Sequence, residues 1–285
     1  MATQVLDYRI VVDEKNFKAE SFFPGLAFVD FDRTGGLALW NISRLFESGR
    51  IVPFFQANFL DYKTLRSDQN TFFLLGGDYY FDSCLWNVPR KFHYFPYKIT
   101  IELINVGQTS ITVREVLINL LDGKEIATFY GKLVYVDRIT KKSQALPEWY
   151  RRKYEAAKSS RIVKFETAVP AIPQNRHQVS VTVTPSDTDY NGHNNQGSYV
   201  RFCMDAAETA RQSQFLKGFT GDICLYPVVK LTACYKGETL AGDNLMTSVW
   251  QDDTSPSELN FAIHKGTKLA FTACITFKST CCSKL

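Results

Sequence analysis

Period-two alternation of apolar and polar positions governs most of this chain. In the first half, "KITIELINV" (98–106), "SITVREVLINLL" (110–121) and "EIATFYGKLVYVD" (125–137) are rich in β-branched and aromatic residues. Turn-forming runs, Asn105-Val106-Gly107-Gln108 and Asp122-Gly123, separate them, so consecutive antiparallel hairpins are expected. The second half repeats the pattern at 223–237, 239–253, 258–266 and 268–277. Two stretches break it with helix-like spacing: "GLALWNISRLFESGR" (36–50) and "QGSYVRFCMDAAETARQSQFLKG" (196–218). A third, "LPEWYRRKYEAAKSSR" (146–161), opens on proline and continues with good helix formers until Pro170 and Pro173 end the regularity. This basic segment reads as a solvated connecting helix or as a binder of cofactor phosphates. The expected organisation is an N-terminal unit (1–140), a linker helix (141–172) and a C-terminal unit (173–285). The fold class is α+β.

The two halves also share a motif. "DFDRTGGLALWNISRLFESGR" (30–50) and "DTDYNGHNNQGSYVRFCMDAA" (187–207) align without a gap, offset by 157 residues throughout. Asp30 matches Asp187, Asp32 matches Asp189, Gly35 matches Gly192 and Arg44 matches Arg201. Each copy leads into a helix-like stretch and is followed by several strand-like ones. The chain therefore reads as a duplication of one strand–loop–long helix–antiparallel sheet unit.

That arrangement resembles the hotdog fold, an antiparallel sheet wrapped around one long central helix, here as a tandem or double hotdog. A sheet with one buried face needs a covering layer, and Leu37, Leu39, Trp40, Ile42, Leu45 and Phe46 suit the helix to that task. The loops carry the specific part of the resemblance. Asp32-Arg33-Thr34-Gly35 and Asp189-Tyr190-Asn191-Gly192 are similar to the Asp-x-x-Gly loop of 4-hydroxybenzoyl-CoA thioesterase-like proteins. Asp189-Tyr190-Asn191-Gly192-His193-Asn194-Asn195 is also similar to the Asp-x-Asn-x-His run of acyl-ACP thioesterases. The resemblance implies hydrolysis of an acyl thioester to acid and thiol.

The residues fit that chemistry. A carboxylate before a helix can attack directly or activate water, and both roles stay open for Asp189. Amides at a helix start, with Gly192 allowing close approach, can hold a developing oxyanion. His193 can polarise or shuttle a proton, and Asn191 can orient carboxylate, water or carbonyl. Asp205 stands where the plant-type branch carries a glutamate, so Asp205 or Glu208 is a candidate carboxylate partner for His193, with a solvated helix acid as the alternative. Asp30 and Asp187 read as structural caps. The first copy is reduced: Thr34 replaces Asn191 and Gly36 replaces His193. It keeps Asp32 and Gly35, with Glu47 one helix face further on, so Asp32 is either a second active carboxylate or a cap on a site decayed into a substrate wall. The aromatic run 78–97 is core or the lining of an acyl tunnel.

Composition narrows the rest. With 45% hydrophobic and 22% charged residues the chain has ample material for a packed core, and a net charge of +4 is too small to imply nucleic acid. No apolar run reaches the roughly 18 residues of a membrane span. Seven cysteines without a Cys-x-x-Cys pair or a signal peptide read as free thiols, the Cys281-Cys282 pair included, and four scattered histidines argue against a metal. No redox cofactor is expected. Gly-x-Ser-x-Gly, dinucleotide and phosphate-loop motifs are all absent. The ending Ser283-Lys284-Leu285 reads as a peroxisomal address for an import receptor. The expectation is a peroxisomal acyl-CoA (or acyl-carrier) thioesterase without a cofactor, its homo-oligomeric state open. The alternatives are a hotdog enoyl-CoA hydratase or dehydratase and a non-catalytic acyl-CoA-binding module.

Overall fold

The computed structural model describes residues 9–87, 94–157 and 171–278. The terminal Ser283, Lys284 and Leu285, the Cys281-Cys282 pair, His93 and the linker beyond residue 157 lie outside the described residues. Strands and helices are β1 (Arg9–Asp13), β2 (Lys18–Phe23), α1 (Leu39–Gln56), α2 (Tyr62–Leu65), β3 (Asn70–Phe81), α3 (Cys84–Asn87), β4 (Tyr97–Val106), β5 (Ser110–Asn119), β6 (Glu125–Asp137), α4 (Glu148–Lys153), β7 (His177–Thr182), α5 (Gln196–Gln212), β8 (Val228–Tyr235), β9 (Asn244–Asp252), β10 (Ser255–Lys265) and β11 (Lys268–Phe277). The fold is α+β, and no helix among the described residues is long and apolar enough to cross a membrane.

The described residues form two compact units that do not follow chain order. One comprises 9–27, 45–79 and 94–157; the other comprises 28–44, 80–87 and 171–278. The loop and helix start of the first motif copy, 28–44, therefore group with 171–278, while residues 45–50 of the same copy group with the N-terminal unit. A physical reason lies in the packing of helix starts inside that second unit. A Cβ on Gly197 would stand 2.6 Å from the Trp40 carbonyl and 2.8 Å from Arg44 Cγ, so only glycine admits this approach. Gln196 Nε2 donates to the Ser43 carbonyl at 2.7 Å, and Arg44 Nη2 donates to Ser198 Oγ at 3.2 Å.

In the N-terminal unit, β1, β2, β4, β5 and β6 pair antiparallel in that order, with β3 beside β6. The hairpins expected at 98–137 are present as β4–β5–β6, turning at Gly107 and at the left-handed Gly123. Helix α1, which belongs to this unit from residue 45 on, buries Leu45 and Phe46 here. Its closest approach to the sheet is at Gly49, where a Cβ would lie 2.3 Å from Ile99 Cγ2. Four residues later Pro53 sits inside the helix without an N–H to donate to the Gly49 carbonyl. The fully buried Ser21 hydroxyl donates to that carbonyl instead, at 3.4 Å. This substitution explains how the helix runs six residues beyond the expected end at residue 50. Beyond it, an aromatic core of Phe54, Phe59, Tyr62, Phe72, Tyr135, Tyr150 and Tyr154 joins α2 and α4 to the sheet. The connecting helix α4 is shorter than the 146–161 stretch, ending at Lys153. Of the aromatic run, Tyr79, Phe81, Phe95 and Tyr97 are core, whereas Tyr80 and Tyr94 are exposed.

In the C-terminal unit the order is β8-β11-β10-β9-β7, antiparallel throughout, and α5 lies on β7 and β9. Tyr199, Val200, Cys203, Ala206, Ala207 and Ala210 form its buried stripe. Three expected elements are shorter. Residues 223–225 make a 3₁₀ turn capped by the Asp222 side chain, so β8 begins only at Val228. Residues 240–243 turn through the left-handed Gly242 before β9, and α5 ends at Gln212, followed by left-handed Gln214. Cys203, Cys224 and Cys234 are buried and Cys84 and Cys274 half-buried, all as free thiols.

Candidate active site

The two motif copies fold into the same loop. Asp32 N donates to the Gly36 carbonyl at 2.8 Å and Asp189 N to the His193 carbonyl at 2.7 Å. Gly35 N returns to the Asp32 carbonyl at 3.0 Å and Gly192 N to the Asp189 carbonyl at 2.9 Å. The turn needs a left-handed residue, and Gly35 (φ 78°) and Gly192 (φ 75°) supply it. Ala38 N and Asn195 N then donate to the carbonyls of Asp30 and Asp187 at 2.9 and 2.8 Å. Every one of these pairs keeps the 157-residue offset seen in the sequence.

Asp187 is structural. Its carboxylate accepts from the Thr184 amide and hydroxyl at 2.9 and 2.7 Å and pairs with Arg201. Burial pushes this carboxyl up, but the Thr184 hydrogen bonds and the Arg201 guanidinium outweigh it and hold it below the ordinary aspartate value. The cap of α5 is Asn195, whose Oδ1 accepts from Gly197 N at 2.8 Å. Asp189 is thus released from helix capping.

Asp189 organises the loop through one oxygen only. Its Oδ1 accepts from Asn191 N at 2.8 Å and His193 N at 3.2 Å, while Oδ2 takes part in no hydrogen bond with the described residues. The His193 amide, the simplest candidate for holding an oxyanion, is therefore spent on Asp189 in this state. Tyr190, Asn191 and Gly192 are exposed, Tyr190 at 87%, and the Asn191 carboxamide makes no hydrogen bond with the described residues. A Cβ on Gly192 would meet nothing within 4 Å, so the loop faces open space.

The carboxylate that faces His193 is Glu238, its Oε2 3.5 Å from His193 Nε2. Asp205 instead pairs with Arg201 at 3.6 Å, and burial raises its carboxyl above the ordinary value. Glu208 is held by Arg211, Gln212 and the Ile223 amide. Glu238 is fixed through its neighbours. Asn194 N donates to the Thr239 carbonyl at 2.8 Å, Tyr199 OH and Thr239 Oγ1 share a hydrogen bond of 2.8 Å, and His193 bridges to Leu240. Glu238 lies between strands and 45 residues after His193, so no local spacing marks it. Asn194 is a second residue outside the sequence-based set. It is buried with its amide near the Tyr199 hydroxyl, and neither amide atom completes a well-formed hydrogen bond with the described residues. Its first-copy counterpart is Leu37, also buried.

The first-copy loop is closed where the second is open. Asp32 is buried, and its Oδ1 accepts from Thr34 N at 2.7 Å, Thr34 Oγ1 at 2.6 Å and Gly36 N at 3.3 Å. Arg33, at the position of Tyr190, donates through Nε and Nη2 to both Asp222 oxygens at 2.6 and 2.8 Å and approaches Glu208 at 3.7 Å. Nearby Cys224 is buried, and burial with Asp32 beside it pushes its thiol up to about 12. Glu47 belongs to the other unit, where it sits near the buried Arg50 and Glu115.

No protein-family profile matches the chain, and no curated protein matches it in sequence. Its fold does match solved structures. An acyl-ACP thioesterase from Bacteroides thetaiotaomicron superposes with a TM-score of 0.71 at 18% identity, over 94% of this chain and 100% of that one. The 12:0-ACP thioesterase from Umbellularia californica gives 0.67 at 10% identity, over 92% and 94%. The peroxisomal multifunctional enzyme type 2 from Drosophila melanogaster gives 0.51 at 10% identity, over 92% of this chain but 48% of that one. At these identities the likeness is one of fold.

Proposed function

We propose that this chain is a tandem-hotdog thioesterase that hydrolyses acyl-CoA to a free acid and CoA, working from the Asp189 loop. The observation that carries the reading is the half-engaged carboxylate of Asp189: Oδ1 is fixed by two loop amides and Oδ2 bonds to none of the described residues, beside an unengaged Asn191 side-chain carboxamide and the His193–Glu238 pair. A carboxylate so fixed loses little freedom when it takes a proton from water. Water adds to the thioester carbonyl as its proton passes to Asp189 Oδ2. The tetrahedral oxyanion accepts from the Asn191 side-chain Nδ2, and its collapse breaks the C–S bond. The proton then reaches the departing sulfur, with His193 as the relay and Glu238 holding the imidazole. Direct attack by Asp189 Oδ2 through an anhydride uses the same residue. CoA is favoured as the carrier because Ser283-Lys284-Leu285 has the form of a peroxisomal address, recognised by an import receptor.

The test is thiol release from straight-chain, branched and aromatic acyl-CoAs, compared with acyl-ACP. Turnover of wild type should fall at least ~10³-fold in Asp189→Ala and less than about threefold in Asp32→Ala. Equal losses would mean two working sites. Loss of enoyl absorbance without thiol release would replace the reading by a hydratase.

A further inference from the structure

We propose that the N-terminal unit holds a recognition site for a hydroxyl group on an otherwise apolar ligand, built from Glu115, Arg50 and Glu47. The helix-facing row of β5 is Ile111, Val113, Glu115 and Leu117, all essentially inaccessible, and Glu115 is the one charge in it. Its strand neighbours are Ile101 on β4 and Phe129 on β6. Arg50 of α1, itself buried, donates through Nη1 to Glu115 Oε1 at 2.5 Å, with its guanidinium 5.8 Å from the Phe129 ring centre. Among the described residues, Glu115 Oε2 has no hydrogen-bond donor. Glu47, one turn before Arg50 and half-buried, is close enough to act electrostatically on both.

The fold does not require this cluster. Helix α5 lies on its own sheet with Met204 and Ala207 at the positions equivalent to Glu47 and Arg50, both buried. Buried ion pairs are replaceable by apolar side chains with little or no loss of stability, so a pair retained with an orphaned oxygen points to a ligand. Its chemistry follows from what is unfilled. When Glu115 is ionised, it and the nearby Glu47 outnumber the one guanidinium, so an anionic group is repelled, and the unsatisfied Glu115 oxygen is an acceptor that needs a donor. The surroundings of Phe46, Tyr79 and Phe129 are aromatic and inaccessible from outside. A neutral hydroxyl on a hydrocarbon chain meets all three conditions. The hydrocarbon being a fatty acyl chain rests on the thioesterase reading; the hydroxyl rests on the cluster alone.

The experiment measures calorimetric binding of free fatty acids, each hydroxylated acid of a positional series against the unsubstituted acid of the same length. Wild type should bind at least one hydroxylated acid about ten-fold more tightly than its parent, the worth of one well-made hydrogen bond to a charged group. The Arg50→Met/Glu115→Leu double variant should bind both equally while still binding the parent acid. Glu115→Gln, which keeps the shape, should lose most of the preference and covers the case in which the double variant does not fold. Equal binding by wild type, tighter binding of the corresponding amino acids with an ammonium in place of the hydroxyl, or a preference surviving in the folded double variant would each overturn the proposal. Because binding is read without turnover, its failure leaves thiol release untouched, and absence of thiol release leaves this measurement standing.

Discussion

The loops at Asp32 and Asp189 have the same backbone and different chemistry. Both hold an aspartate Oδ1 on two amides, both turn on a left-handed glycine, and both hand the chain to a long helix. They diverge in side chains alone. In the first, Thr34 adds a hydroxyl to the carboxylate and Arg33 clamps the loop onto Asp222. In the second, Tyr190 and Asn191 project into open space, and His193 with Glu238 stands where the first copy has only Gly36. The two loops share a backbone scaffold, and three or four side chains decide which of them is closed and which is open.

That contrast is breakable at several strengths. After Asp189 itself, the largest effect is expected at the histidine partner: Glu238→Gln should lower kcat about 10²-fold with KM little changed, whereas Asp205→Asn should stay within about threefold. Steady-state kinetics on both variants would reverse the assignment if Asp205 proved the sensitive one. Asn194→Leu installs the residue that the first copy already carries. Removing a buried amide without partners should raise stability by about 1–2 kcal/mol in denaturant unfolding, and a loss would mean the amide is satisfied in solution. Arg33→Ala should cost under about 1 kcal/mol, because its clamp is partly exposed, and should leave thiol release unchanged.

The smallest effect concerns the two helices. Burial pushes the Glu115 carboxyl up to about 7 against the pull of Arg50, with Glu47 adding to the rise. A carboxyl whose folded value exceeds its unfolded one binds protons more tightly when folded, so its contribution is fully present below about pH 4.5 and is lost as pH rises through 7. Wild type minus Glu115→Gln should therefore lose melting temperature between pH 5 and 7.5. A flat difference would show that Glu115 stays ionised throughout that window.

Legibility followed the range of the forces involved. The β4–β5–β6 hairpins and β10–β11 were readable because alternation and turn residues act between neighbours along the chain. Gly35 and Gly192 were readable because one φ angle demands them. The Glu238 partner was not, since it reaches His193 through the pairing of distant segments. Glu115 carried a signal that could have been used: in "SITVREVLINLL" it stands in the apolar phase of the strand while Arg114 faces outward. The extra length of α1 past Pro53 was hidden because its compensation comes from Ser21, on another element.

By itself, then, the sequence determined the repeated motif, the alternating strands, the two helices and the loop that presents each aspartate, all set by local geometry and a fixed offset. Tertiary structure decided that the loop of the first motif copy groups with the C-terminal half, that Glu238 rather than Asp205 meets His193, and that a charged pair lies inside the N-terminal core. Those outcomes depend on which surfaces meet once the chain is closed. Contact energy between remote residues leaves no periodicity to read.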